Sequence, residues 1–249
     1  MEEEELERYT EALAQRRAWI VSRMDAALDR AGRPHDAAEL MAVSKTVGVE
    51  EVVCAVQVGY RTFGENRPQE LCAKLEGLSA YQNLPPLRFD MIGNLQKNKV
   101  NMVLGRAALI HSIGSYLLAE AVSQRAERRM EAGLMDAPQP VLIEVNVSGE
   151  ASKSGFSSDG LRERFEDLQG LCGISIQGLM TMAPRGGGSV ARACFSGLRD
   201  LRDELSLASG LPLAELSCGM SEDFEEALEE GSTMVRLGRV VFDPSFEVR

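Results

Sequence analysis

Leu40-Met41-Ala42-Val43-Ser44-Lys45-Thr46-Val47-Gly48 is the stretch that decides the fold of this chain. A short apolar run bounded by polar residues reads as a buried strand, and the residues just after it distinguish two parallel-sheet architectures. A doubly wound open sheet usually shows a glycine fingerprint after its first strand, where the backbone approaches a dinucleotide. Here Ser44-Lys45-Thr46-Val47-Gly48 stands instead, and neither GxGxxG nor a Walker pattern occurs. A lysine at a strand end is ordinarily solvated. In the mouth of a (β/α)8 barrel it would be partly desolvated, which favours the neutral amine that attacks carbonyls.

Outward from that strand, apolar and amphipathic segments alternate. Strands are predicted at Leu40 to Ser44, Arg61 to Gly64, Leu87 to Ile92, Ala108 to Ser112, Val141 to Val147, Ile174 to Met180, Leu213 to Ser217 and Thr233 to Leu237. Helical spacing falls between them, at Glu50 to Val58, Pro68 to Leu78, Gln96 to Met102, Tyr116 to Ala132, Ser158 to Gly170, Val190 to Ser209 and Ser221 to Glu230. Strands alternating with helices predict a parallel sheet. Closed on itself, it accounts for nearly all 249 residues as a single α/β domain, a TIM-type (β/α)8 barrel. Residues 2–31 add one amphipathic N-terminal helix packed on the barrel: Leu6, Tyr9, Leu13, Ile20, Met24 and Leu28 recur on one face, and Gly32-Arg33-Pro34 stops it. Gly186-Gly187-Gly188 reads as a flexible loop after the sixth strand, and no repeat or linker marks a second domain.

Composition removes several function classes. A net charge of −11 provides no basic excess for displacing counterions from phosphates, so nucleic acid is not an expected partner. No apolar stretch approaches the roughly 20 residues that span a bilayer. The acidic N-terminus, Met1-Glu2-Glu3-Glu4-Glu5, is unlike a secretory signal, so a cytoplasmic location is expected. The five cysteines are odd in number and widely spaced, which argues against a disulfide framework and a zinc site; two histidines do not supply a His-rich metal centre.

Barrel active sites form at the C-terminal ends of the strands. Those positions here hold Lys45, Gly64-Glu65-Asn66, Gly93-Asn94-Leu95-Gln96, His111-Ser112, Asn146, Met180-Thr181, Gly219-Met220-Ser221 and Arg236-Leu237-Gly238-Arg239. Loops after the seventh and eighth strands are a frequent phosphate site in this architecture; here they are Cys218-Gly219-Met220-Ser221 and Gly238-Arg239. Ser221 also reads as the N-cap of the next helix. A lysine amine, a phosphate nest and a buried arginine together suggest pyridoxal 5′-phosphate (PLP). The arginine would face the pyridine nitrogen, keep it unprotonated, and weaken the ring as an electron sink.

The motifs AVSKT (Ala42 to Thr46), FGENRPQE (Phe63 to Glu70), IGNLQKNK (Ile92 to Lys99), IHS (Ile110 to Ser112), EVNVSGEASKSGF (Glu144 to Phe156), GLMTM (Gly178 to Met182), CGMSEDFEEAL (Cys218 to Leu228) and GSTMVRLG (Gly231 to Gly238) succeed one another over residues 42–238. In that order they make the chain resemble the pyridoxal 5′-phosphate homeostasis proteins, whose fold is like the barrel domain of alanine racemase. The resemblance implies that Lys45 carries PLP as a Schiff base and that Asn66 is a ring-side contact. It implies that Ser221 and the Gly238-Arg239 backbone cradle the phosphate, that Met220 is a further cofactor contact, and that Arg236 faces the pyridine nitrogen. It also implies a monomeric carrier without established turnover, with apo-enzymes that use the cofactor, or enzymes that make it, as protein partners.

The chain departs from that family's pattern in three places: Asp90-Met91 replace His-Phe, Arg239 replaces a hydroxyl residue, and the tail Phe242 to Phe246 differs. A cation at Arg239 is expected to compensate for the lost hydroxyl. His111 reads as a hydrogen-bonded barrel-layer residue, Cys218 and the Met180–Met182 pair as packing, and Lys153 as a gating or delivery residue of the Ser152-Lys153-Ser154-Gly155 loop. The competing functions are a PLP-dependent amino-acid racemase or lyase, and a cofactor-free Schiff-base aldolase with Glu65 as its acid or base. Only about a dozen residues come after the eighth strand, so no second domain is expected to bring a tyrosine to the ring, as racemases of this fold require.

Overall fold

A computed structural model describes residues 3–150, 153–184, 186–243 and 245–246. Expectations for Met1, Glu2, Ala151, Ser152 and Pro244 lie outside the described residues. The sheet is a closed, all-parallel barrel ordered β1 to β8: β1 (Glu39–Val43), β2 (Thr62–Glu65), β3 (Arg88–Met91), β4 (Ile110–Ile113), β5 (Gln139–Glu144), β6 (Ile174–Met180), β7 (Glu215–Ser217) and β8 (Met234–Leu237). Closure is made by β1 on β8, with Met41 opposite Arg236. Each strand lies at its predicted place, with ends shifted by a few residues.

The helices are α1 (Glu3–Arg30), α2 (Val49–Gln57), α3 (Pro68–Leu78), α4 (Val100–Val103), α5 (Tyr116–Glu131), α6 (Ser158–Gln169), α7 (Gly188–Ser209), α8 (Phe224–Glu229) and α9 (Arg239–Phe242). A 3₁₀ turn, Lys97–Lys99, precedes α4. Gly188 belongs to α7, so only part of the expected glycine loop is loop. The α9 turn after β8 is too short to cover that side of the barrel. Helix α1 covers it instead, packing on α2, α8 and α9 through Leu13, Ile20, Met24, Ala27 and Leu28, all buried. Arg30 pairs with Glu225 at 2.9 Å and Glu229 at 2.7 Å on α8. Arg16 of α1 donates to the Asp243 carbonyl at 2.5 Å, so the divergent tail ties the N-terminal helix to the last turn.

A polar cluster lies beside the barrel's first two strands. Beneath the end of β1, the buried Lys74 of α3 forms an ion pair with Glu65 of β2 and donates to the Ser44 carbonyl at 2.6 Å. The Ser44 hydroxyl donates to Glu65 Oε1 at 2.6 Å. The residue just before Lys45 is thereby fixed to both a strand and a helix.

That pair gives a stability test. Lys74→Met leaves the Glu65 carboxylate buried without its cation and is expected to cost about 3–5 kcal/mol in urea denaturation. Lys74→Met with Glu65→Leu is expected to recover most of that loss, because a buried pair replaced by apolar side chains is often near neutral. A single variant as stable as the parent would contradict this account of the cluster.

Candidate functional site

At the C-terminal end of the barrel a cavity of about 530 Å³ is lined by Lys45, Asn66, Met220, Ser221, Arg236, Gly238 and Arg239. The strand ends thus bring together every residue that the sequence assigned to the site. Glu144, Ser154, Met182 and Asp223 also line it and were not anticipated as contacts.

Lys45 sits on the turn after β1 and is exposed at the cavity wall, so the expected desolvation of its amine is not present in this structure. Its side chain has no hydrogen-bond or ion-pair partner among the described residues. Glu65, considered as its acid or base, is fully buried and engaged by Ser44 and Lys74. It is not part of the cavity lining, which removes it as a partner for a cofactor-free aldolase. Asn66 is half-buried in the turn after β2. The backbone of the β3 loop packs against it: a Cβ on Gly93 would lie 2.2 Å from the Asn66 carbonyl oxygen, so only glycine permits this approach.

The loop after β7 turns at Gly219, whose φ of +92° is a conformation glycine adopts without strain. Asp223 closes that turn by accepting the Met220 amide at 2.6 Å. Asp223, not Ser221, stands at the N-terminus of α8, which begins at Phe224. Ser221 acts elsewhere: its hydroxyl accepts the Val240 amide at 3.3 Å, joining the β7 loop to α9. Among the described residues, the amides of Ser221, Glu222 and Gly238 donate to no protein group. Such free N–H groups in adjoining loops suit an anion. Arg239 is not free to compensate for a lost hydroxyl. Its guanidinium pairs with Glu222 at 2.7 Å and lies 5.7 Å from the Phe246 ring centroid.

Arg236 is buried at the end of β8, and burial lowers its pKa from the ordinary arginine value. It donates to Ser217 Oγ at 2.5 Å and to the Thr181 carbonyl at 3.0 Å. Both acceptors are neutral, and a guanidinium has five N–H donors, so capacity remains for a ligand acceptor in the cavity. Ser217 Oγ lies 2.9 Å from His111 Nδ1, and His111 Nε2 lies 3.0 Å from Asp90 Oδ2. Asp90 in turn receives two bonds from Arg88, each of 2.9 Å. Donor logic assigns one direction: Ser217 must give its proton to Nδ1, and neutral His111 gives its Nε2 proton to Asp90. Burial, first among the causes, lowers the His111 pKa and keeps the ring neutral. Asp90 therefore faces the barrel interior beneath the cavity and does not charge its mouth.

Other readings divide. Burial pushes the Cys218 thiol up to about 11, as expected of a packing residue. Met180 is buried and lines the cavity, whereas Met182 lines it as an exposed side chain and is not core filler. Lys153 donates to the Met182 carbonyl at 3.1 Å and pairs with Glu150, bridging the loops after β5 and β6. Among the described residues, no group of His, Cys, Asp and Glu is arranged to hold a metal, and no helix is long and apolar enough to cross a membrane.

Residues 10–245 match the family model of the alanine racemase N-terminal domain. The chain is 40% identical over 224 residues to a pyridoxal phosphate homeostasis protein of Aquifex aeolicus, covering 90% of this chain and 94% of that one. It superposes on a protein from Bifidobacterium adolescentis with a TM-score of 0.84, at 38% identity, over 94% of this chain and 96% of that one. PipY of Synechococcus elongatus, solved with PLP bound, is 32% identical with a TM-score of 0.77, over 92% of this chain and 99% of PipY.

The His111 relay has a pH signature. A histidine whose folded pKa is depressed binds its proton more readily when unfolded, so the stability it contributes is lost as pH falls below 6.5. His35 works in the opposite sense, because the Asp29 hydrogen bond favours its charged form. His111→Gln isolates the first effect: its thermal midpoint is expected to fall less than the parent's between about pH 7 and about pH 5. Parallel midpoint curves for the two proteins would contradict a neutral, buried His111.

Proposed function

The chain belongs to the family of pyridoxal phosphate homeostasis proteins, built on the alanine racemase N-terminal fold, and from that membership we propose that it binds PLP as a Schiff base on Lys45 and holds the cofactor for use elsewhere in the cell. The observation that carries the reading is the convergence of an unpaired lysine, free backbone amides and a buried arginine on one cavity. These residues fit the three reactive features of PLP: its aldehyde, its phosphate and its ring nitrogen.

When bound, PLP supplies an electrophilic carbonyl carbon and a conjugated ring. Lys45 supplies the amine. Ser221 and the amides of Ser221, Glu222 and Gly238 hold the phosphate dianion, against the unfavourable field of a chain with net charge −11. Asn66 and Met220 close on the ring from the walls. Arg236 would donate to the ring nitrogen and so oppose its protonation, since a fixed cation disfavours a second positive charge beside it. That choice suits retention over carbanion chemistry. Neither tyrosine nor histidine is among the described lining residues, so the acid–base pair of a racemase would have to come from Lys45 and a carboxylate. We therefore read the protein as a carrier, with apo-enzymes of PLP as recipients.

Mixed with PLP, the protein is expected to turn yellow and, after borohydride reduction, to carry the pyridoxyl mass on Lys45. Lys45→Ala is expected to lose the covalent adduct and retain weaker, phosphate-anchored binding. An undiminished visible band in that variant would contradict the assignment. Steady α-proton exchange of amino acids in deuterated water would contradict the carrier reading while leaving the lysine assignment intact.

A further inference from the structure

One charged group in the cavity has no task in PLP binding. Glu144, the last residue of β5, lines the cavity and is only 5% exposed. Ser154 donates to its Oε1 at 2.6 Å. Among the described residues Oε2 receives no hydrogen bond, and no cation lies within ion-pair distance of the carboxylate. Two of the other buried acids have cations, Asp90 with Arg88 and His111 and Glu65 with Lys74, whereas Asp223, also in the lining, is engaged by the Met220 amide in closing the β7 turn. With Oε2 open to the cavity and no cation beside it, the carboxylate can receive a positive group that enters from the cavity side.

Its position specifies what that is. In a closed barrel ordered β1 to β8, β5 stands diametrically opposite β1, so Glu144 faces Lys45 across the cavity. The lining at the end of the neighbouring strand β6, Met180, Met182, Ala183 and Pro184, is apolar, with Ser154 and Ser112 nearer β5 along the chain. An apolar wall beside an unpaired carboxylate suits a hydrocarbon stem that ends in an ammonium group. The cations of the lining are Lys45, Arg236 and Arg239; the first two are assigned to PLP and Arg239 is paired with Glu222. An incoming α-carboxylate would therefore meet only like charge on the β5 side.

We propose that the β5–β6 side of the cavity is a subsite for a primary amine without an α-carboxylate, the chemistry of a lysine side chain on an acceptor protein, and that Glu144 is its specificity-determining residue. The inference rests on Lys45 carrying PLP. Release is then an exchange of one C–N bond for another. The incoming neutral amine would form a C=N linkage to the carbon held by Lys45 as the linkage to Lys45 Nζ breaks, and both protons of the attacking nitrogen would end on Nζ, which leaves as a free amine. No electrons are gained or lost. A free amino acid is disfavoured at the same step, which keeps the cofactor from being drained by small metabolites.

The test uses two amines that differ only in the carboxylate, n-pentylamine and norleucine. PLP-loaded protein is first reduced in one aliquot to establish the label on Lys45; its absence would refute the proposed function itself. In a second aliquot each amine is added, samples are quenched with borohydride over time, and the loss of pyridoxyl mass from Lys45 gives a rate that is divided by that amine's rate with free PLP. The corrected rate is expected to favour pentylamine by about tenfold or more, and Glu144→Gln to reduce the preference to about twofold, chiefly by admitting norleucine. Calorimetry on the borohydride-reduced protein, where the linkage is locked, is expected to show the same preference in binding alone. Label on Lys45 with equal corrected rates in the parent protein, or a preference that Glu144→Gln leaves unchanged, would overturn the subsite and leave the carrier reading standing.

Discussion

A guanidinium buried at the end of a barrel strand without a carboxylate in contact is the constraint on which this structure turns. Arg236 is held by Ser217 and the Thr181 carbonyl, and Ser217 is oriented by His111 and then Asp90 and Arg88. The charge is retained because neutral dipoles point at it from beneath and because the cavity leaves room for a ligand acceptor above. Had Asp90 or Glu144 contacted it directly, the arginine would be spent on an internal salt bridge. The layer below the cavity is thus polar and fully directional, in a fold whose interior is ordinarily filled with branched apolar side chains.

The same logic governs the opposite wall. Lys45 is free because the groups that could have paired with it are committed elsewhere: Glu65 to Lys74 and Ser44, Glu222 to Arg239. Fixing Ser44 by two hydrogen-bonding partners places the adjoining lysine without touching its amine. An exposed amine at rest and a fixed backbone beneath it suit the proposed reversible attachment of PLP, in which the nitrogen would bond and leave repeatedly. Glu144, facing it across the barrel, supplies the cavity with a negative pole on the β5 side.

Much of this was legible in the sequence, for identifiable reasons. The strands announced themselves as apolar runs, and the residue after each run fell at the mouth, so Lys45, Asn66, Ser221 and Arg236 could be placed by counting. The α1 face was legible from helical spacing. What could not be read were pairings across the barrel. The barrel's closure and stagger bring Asp90, His111 and Ser217 to one level, and nothing in their spacing along the chain encodes it. Lys74 is buried, and nothing in its place within a helical segment signals that. Ser221 looked like a helix cap, but Asp223 takes that position and frees Ser221 to join the β7 and β8 loops. Arg239 looked available to an anion, and only the fold shows Glu222 and Phe246 beside it.

A crystal structure of the protein grown with PLP tests the central claim most directly. The account predicts continuous density from Lys45 Nζ into the ligand, with the phosphate on the Ser221 and Gly238 loops and the ring nitrogen within hydrogen-bond distance of Arg236. Density for PLP outside the barrel mouth, or within it but separate from Lys45, would contradict it.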